Sequence, residues 1–389
     1  MKVVHVSDHY ARVGGAETVL LNLLEALEAR GVANVVAHEH PAPPEAHRRA
    51  FQVPGLGDAG GAGAAAAAEL REILETERPD IIHIHQTENP HVPAEAHAWG
   101  PAVQSVLNHN FYCPGGAHRL PLLGRACGRT LGPGCLASAF LTHCNSVRPA
   151  RLLESYSRSR RMLENSRELP LVVLSRYQKE QFIRSGRAPE SMHVLAPFTT
   201  LPPLAPPPKP NTVLFVGRLV KEKGLDKLIR ALSHLPPAVR LLVSGNGPEA
   251  GSAAVLVRRL ELDGRVEFLG WKDGEALGRC YAEASVVAVP SVWPEPFGLV
   301  GTEAMSWARP VVAFDVGAIP EWLEDGATGF LVPPGNVRAL AERIGYLLGH
   351  EAEAHAMGVE GRRRVERDFG CDRYVTRLLD LYRSVIAAR

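Results

Sequence analysis

Thr212-Val213-Leu214-Phe215-Val216-Gly217-Arg218-Leu219-Val220-Lys221-Glu222-Lys223-Gly224 reads as a short buried strand that stops on a glycine and leads through a basic loop into a helix. Thr212 to Gly217 is the strand, and Gly224 to Leu235 carries the helical spacing. The rhythm repeats downstream, with short apolar strands predicted at Arg240 to Gly245, Arg265 to Leu269, Ser285 to Pro290, Pro310 to Phe314 and Gly329 to Val332, and helices between them. Strands separated by helices build βαβ units and a parallel sheet.

The same alternation fills the first half of the chain. Val3 to Ser7 is a strand, and Ala16 to Arg30 is a helix with Gly31 as its C-cap. Ala64 to Glu77 is a helix closed by Pro79, Asp80 to His85 is a strand, and Leu171 to Ser175 is another. The Gly/Ala run at 60–68 is compositional bias and carries no functional weight. Between Ala196 and Asn211 stand seven prolines, which exclude a helix or an inner strand and read as a semi-rigid linker. The expected division is therefore 1–196, 197–370 and a final helix at 371–389 with no strand after it, free to pack back on the first domain. Two α/β domains joined this way leave a cleft, and ligands of such sheets bind at the carboxyl ends of the strands.

Composition narrows the partners. With 46% hydrophobic and 22% charged residues over 389 positions, the chain is a globular protein of two domains rather than a disordered one. A formal net charge of +1 supplies no field for nucleic acid. Lys2-Val3-Val4-His5-Val6 already resembles a buried strand rather than a leader, and no apolar run reaches the ~18 residues of a membrane span. The expected location is cytoplasmic.

Three stretches carry chemistry. Gly14-Gly15-Ala16-Glu17 follows the first strand, where glycine lets backbone approach a ligand and a helix start favours an anion; a plain tight turn explains it as well. Gly217 to Gly224 sets Arg218 and Lys223 at the carboxyl end of a strand, where cations would meet a diphosphate; the alternative is a solvated basic loop. The most informative stretch is Ser291-Val292-Trp293-Pro294-Glu295-Pro296-Phe297-Gly298-Leu299-Val300-Gly301-Thr302-Glu303. Prolines hold Glu295 in an extended loop, a helix starts near Gly298, and the N–H groups of Phe297, Gly298 and Leu299 are left for a ligand. Carboxylates suit sugar and ribose hydroxyls because they accept paired O–H groups.

Together with Pro79-Asp80-Ile81-Ile82-His83-Ile84-His85, Gly245-Asn246-Gly247-Pro248 and Phe268-Leu269-Gly270, these motifs resemble the fourth family of glycosyltransferases. The resemblance implies two Rossmann-like domains facing a central cleft, the GT-B fold, and a retaining transfer from a nucleotide-sugar. It implies that Glu295 holds the donor sugar, that Glu303 holds the ribose, and that Arg218 and Lys223 neutralise the diphosphate. Phe297, Gly298 and Leu299 would touch sugar and phosphates through their main chain. Gly14 and Gly15 would close over the phosphate, Gly217 and Gly247 would line the site, and Gly270 with Trp271 would lie near the base. The family's histidine near the anomeric carbon, usually in a His-Asp pair, matches His109 of Asn108-His109-Asn110, so Asn110 replaces the acid. The similar enzymes work by front-face attack in which the departing phosphate takes the acceptor's proton. No Asp-x-Asp motif lies in the cleft loops, so no cofactor is expected for transfer. UDP- or GDP-sugars are the donors to expect, with a glycan, lipid-linked or small-molecule acceptor. Two other readings stay open: a nucleotide-sugar epimerase and a binding protein that has lost turnover.

Cys113, Cys127, Cys135 and Cys144 are four of the six cysteines and fall within one Gly/Pro/Arg-rich insertion at about 109–150. They suit a structural zinc or an iron–sulfur cluster, although no C-x2-C pair is present; unrelated thiols or two disulfides are the alternatives. Arg148 to Arg167 is rich in arginine, a solvated helix face or a peripheral contact for an anionic membrane.

Overall fold

The structure is a computed structural model that describes residues 1–11, 15–40, 48–204 and 206–389. The chain divides into two compact units, one of Met1–Leu123, Cys127–Phe198 and Cys371–Arg389, the other of Gly124–Ala126 and Thr199–Gly370. The C-terminal helix thus belongs to the first unit.

The first unit is built on strands β1 (Lys2–Ser7), β2 (Ala33–His38), β3 (Arg49–Gln52), β4 (Ile81–Gln86), β5 (Ala102–Val106), β6 (Leu171–Val173) and β7 (Met192–Val194). They pair in parallel in the order β3-β2-β1-β4-β5-β6-β7. Strands covered on both faces must be apolar throughout, and Val3, Val4, Val6, Ile81, Ile82 and Ile84 are fully buried. One face packs on the helix Cys371–Ala387, whose Tyr374, Leu378 and Tyr382 recur every fourth residue against Val3, Ile81 and Val103. β2, β3, β5 and β7 escape the sequence reading. β2 carries Asn34 and His38 among its apolar residues, and β3 is a half-exposed edge, so neither shows a clean apolar run.

Three buried histidines share the face under the C-terminal helix. His5 Nδ1 lies 2.9 Å from His85 Nε2, and His5 Nε2 lies 2.9 Å from Asn34 Oδ1. His83 joins the Tyr382 hydroxyl at 2.5 Å and the Ser105 hydroxyl at 2.7 Å. Burial lowers the pKa of His5 to about 4 and puts His83 and His85 well below the ordinary value as well. The unfolded chain therefore binds more protons than the folded one between pH 6.5 and about 4. The His5 contribution to stability should fall by about 3 kcal/mol as the pH drops through that window, while Asp8, whose pKa burial raises to about 7, acts in the opposite sense. Melting curves of the wild type and His5→Gln against pH check this: the difference in stability between them should shift towards the variant from pH 7 to pH 4.5, and a difference that stays constant contradicts it.

The second unit holds β8 (Thr212–Val216), β9 (Arg240–Ser244), β10 (Val266–Gly270), β11 (Val286–Val289), β12 (Val311–Phe314) and β13 (Gly329–Val332). All pair in parallel, in the order β10-β9-β8-β11-β12-β13. The order reverses between β8 and β11, and in such sheets the crevice at the reversal takes the ligand. Pro290 and Pro310 end up just outside β11 and β12, since proline cannot donate to a ladder. Among the described residues no helix is long and apolar enough to cross a membrane.

Candidate functional site

The loops after β8 and β11 flank the reversal and carry the two residues that matter most. After β8 the chain makes a turn at Lys221–Lys223, passes Gly224 in the left-handed region at φ +67°, and enters the helix Leu225–Leu232. After β11 the proline-flanked loop brings Glu295 inward, where its side chain is almost wholly buried. Lys223 Nζ donates to Glu295 Oε1 at 2.7 Å, and the Ser291 hydroxyl donates to the same oxygen at 2.5 Å. The Trp293 ring lies 5.4 Å from the Lys223 ammonium. Backbone bonds lock the loops: Val292 N–H donates to Glu222 at 2.8 Å and Ala318 N–H to Glu295 at 2.9 Å.

Burial by itself pushes the Glu295 carboxyl up, but the adjacent Lys223 charge and the hydrogen bonds from Lys223 and Ser291 outweigh it and hold the pKa below the ordinary value. Glu295 is an anion at neutral pH and serves poorly as a proton donor. Glu303 differs. It is half-buried on the helix Leu299–Ser306, receives the Tyr281 hydroxyl at 2.7 Å, and is pushed up by burial.

The helix that carries Glu303 starts at Leu299 after Gly298, whose φ of +98° turns the chain sharply. Among the described residues the N–H groups of Phe297, Gly298 and Leu299 donate to no partner. Beneath them Trp322 Nε1 donates to the Phe297 carbonyl at 2.7 Å and fixes the loop from inside. Arg218 is exposed and makes no ion pair among the described residues. Gly217, Gly245 and Gly270 lie together at the ends of β8, β9 and β10, since Gly217 N–H donates to Ser244 at 3.0 Å and Gly245 N–H to Gly270 at 2.9 Å. Gly245, at φ +148°, abuts the Gly217 carbonyl so closely that a side chain there would overlap it. Leu219 N–H donates to Asn246 at 2.8 Å, which puts Gly247 beside the same loop, and Trp271 follows Gly270 with 41% of its surface exposed.

In the first unit, Gly14 lies outside the described residues and Gly15 opens the helix Gly15–Glu28. His109 is fully buried and its Nδ1 meets the Tyr112 hydroxyl at 2.5 Å. Asn110 turns elsewhere: its Nδ2 donates to Glu88 Oε1 at 2.7 Å, and Glu88 also pairs with Arg158. A tyrosine therefore meets the ring where the sequence pattern leads one to look for an acid. The arginine-rich stretch is the helix Pro149–Asn165, and Arg158, Arg160 and Arg161 have partners in Glu88, Glu164 and the Ala59 carbonyl. Cys113, Cys127, Cys135 and Cys144 are free thiols around one small cavity.

Sequence reading misses Tyr281, Trp322 and Tyr112. Tyr281 and Trp322 each fill a hydrogen bond of a motif residue from another segment, with no spacing rule to link the two, whereas Tyr112 lies three residues from His109. Ser291 lies within the decisive stretch, four residues before Glu295, and a hydroxyl so close to a buried carboxylate is a usable signal.

The sequence profile described as Glycosyl transferases group 1 matches residues 199–364, and that of Glycosyltransferase Family 4 matches residues 13–201. A D-inositol 3-phosphate glycosyltransferase of Mycobacterium sp. (strain KMS) is 37% identical over 196 residues, 46% of this chain and 44% of that one. An alpha-maltose-1-phosphate synthase of Mycobacterium tuberculosis (strain ATCC 25618 / H37Rv) is 33% identical over 220 residues, 53% of this chain and 57% of that one. The chain thus spans about half the length of these relatives. Among solved structures, Anabaena Alr3699/HepE in complex with UDP and glucose superposes with a TM-score of 0.76 at 20% identity, covering 99% of this chain and 100% of that one. Sucrose-phosphate synthase from Thermosynechococcus elongatus gives a TM-score of 0.77 at 22% identity over 100% of both chains. These likenesses show the fold as GT-B. With a group 1 glycosyltransferase profile on the second unit and a Family 4 glycosyltransferase profile on most of the first, the chain belongs to the glycosyltransferases.

Proposed function

We propose that the chain transfers a sugar from a UDP- or GDP-linked donor to a hydroxyl acceptor with retention of configuration. The observation that carries this reading is the buried Lys223–Glu295 pair, 2.7 Å apart, between the two strands where the sheet order reverses. A buried ion pair is weak evidence of a stabilising device, because its desolvation consumes most of the attraction. At a ligand crevice it has a use. The ammonium meets the charge that grows on the diphosphate as the sugar bond breaks, and the carboxylate accepts sugar hydroxyls through its other oxygen. Arg218 and the N–H groups of Phe297, Gly298 and Leu299 add to the same anion site. Glu303 binds the ribose, with the Tyr281 hydroxyl holding its carboxylate in place.

Glu295 is ionised and bound to Lys223, which argues against its use as a general acid. On this reading the departing phosphate accepts the proton of the incoming hydroxyl on the face it leaves, and configuration is retained. The protein contributes position and charge. On this reading side chains and backbone amides meet the diphosphate and stand where a divalent ion would otherwise neutralise it. The UDP and UDP-glucose complexes of the Anabaena structure support a uridine donor as the first to test.

Thermal-shift screening of UDP- and GDP-sugars, followed by assay of released nucleoside diphosphate, tests the reading. Stabilisation by one donor with slow hydrolysis is expected. An isomerised donor would indicate an epimerase, and stabilisation without turnover in the presence of glycan, lipid-linked and small sugar acceptors would indicate a binding protein; either overturns it.

A further inference from the structure

We infer that Cys113, Cys127, Cys135 and Cys144 form a tetrathiolate site for one zinc ion, which holds the insertion of the first unit together. The four cysteines, separated by 13, 7 and 8 residues, converge on one cavity of about 20 Å³. That is room for a single water-sized body, enough for one ion. The approach is built into the backbone. Gly115 abuts the Cys144 carbonyl so tightly that a side chain there would overlap it, and Cys127 N–H donates to the His118 carbonyl at 2.9 Å.

Backbone amides surround two of the sulfurs. Cys113-Pro114-Gly115-Gly116 makes a turn closed by Gly116 N–H donating to the Cys113 carbonyl at 2.9 Å. In that turn the backbone N–H groups of Gly115, Gly116 and His118 face the Cys113 sulfur, and that of Arg129 faces the Cys127 sulfur. Burial outweighs these amide donors and holds both thiols above the ordinary range, so the proton leaves only as the metal takes its place. The segment also lacks a core of its own: Leu122, Leu123, Phe140, Leu141 and Val147 are all exposed. A structural metal is the usual substitute for such a core.

Among the described residues, His5, His83 and His85 are the set whose three ligand atoms lie within 4.8 Å of one another. Both nitrogens of His5 and of His83 are already committed to protein partners, so that cluster is a hydrogen-bonded core. No three of the cysteine sulfurs are yet that close. Binding draws them in, each thiol giving up its proton as it becomes a ligand at about 2.3 Å from zinc.

The test is elemental analysis of the full chain purified without chelator, beside Cys127→Ser, Cys144→Ser and a Cys280→Ser control. One zinc per chain is expected in the wild type and in Cys280→Ser, and less than a tenth of that in the other two. In the wild type, removal of zinc by chelator and replacement by cobalt(II) alone should produce the visible bands of a tetrahedral thiolate site. This reading needs no variant to fold. Wild-type protein with no zinc and all six thiols titratable, with two disulfides, with iron and sulfide, or with zinc that survives both Cys127→Ser and Cys144→Ser overturns the inference.

Discussion

A Lys223→Ala variant is expected to lose donor turnover by about a hundred- to a thousand-fold, the range seen when one preorganised charge-stabilising donor is removed. Two effects combine. The ammonium that meets the leaving diphosphate is gone, and Glu295 is left as a buried carboxylate without its cation. Removing one partner of a buried pair costs about 3–5 kcal/mol when the other stays charged. Glu295 would relieve that by taking up a proton, because burial then acts unopposed. The double variant Lys223→Ala/Glu295→Gln should therefore melt closer to the wild type than Lys223→Ala does, while remaining inactive. Donor hydrolysis and thermal unfolding measured on the same samples separate the two effects. Near-normal turnover in Lys223→Ala would remove the basis of the proposed function.

The second large effect lies beneath the site. Gly301 is on the first turn of the Leu299–Ser306 helix, and a methyl group there would fall within the ring of Trp322. Trp322 is fully buried, and its indole N–H holds the Phe297 carbonyl at 2.7 Å. Gly301→Ala must push the indole aside, at a cost of about 1–3 kcal/mol from overpacking, and must loosen the loop that presents the N–H groups of Phe297 to Leu299. Donor turnover should fall at least tenfold even where the fold survives. Gly301→Ala/Trp322→Leu should recover part of the stability, since the smaller side chain makes room, without recovering the bond to Phe297. A melting temperature for Gly301→Ala equal to that of the wild type would contradict this account.

Much of the fold is legible in the chain because parallel strands covered on both faces need unbroken apolar runs. Val3 to Ser7 and Thr212 to Gly217 show such runs, and glycines follow each in the sequence. β2 and β3 lack that signature, with Asn34 buried against His5 and Arg49 exposed at an edge. At the site, Glu295 and Lys223 can be picked out because prolines and glycines frame them. That they touch each other cannot be read off, since 72 residues separate them and only the strand order brings their loops together. His109 is a local case: its neighbour Asn110 invites attention, yet the Tyr112 hydroxyl, three residues on, meets the ring. Side chains that satisfy a motif residue from elsewhere in the fold leave no periodic trace.

The most direct test of the central claim is calorimetric titration of the full chain with UDP and with GDP, wild type against Lys223→Ala/Glu295→Gln. Saturable binding of one diphosphate nucleotide at one site per chain is expected, weakened at least tenfold in the double variant. Equal affinity in both proteins, or no binding of either nucleotide to the wild type, would contradict the assignment of these loops as the donor site.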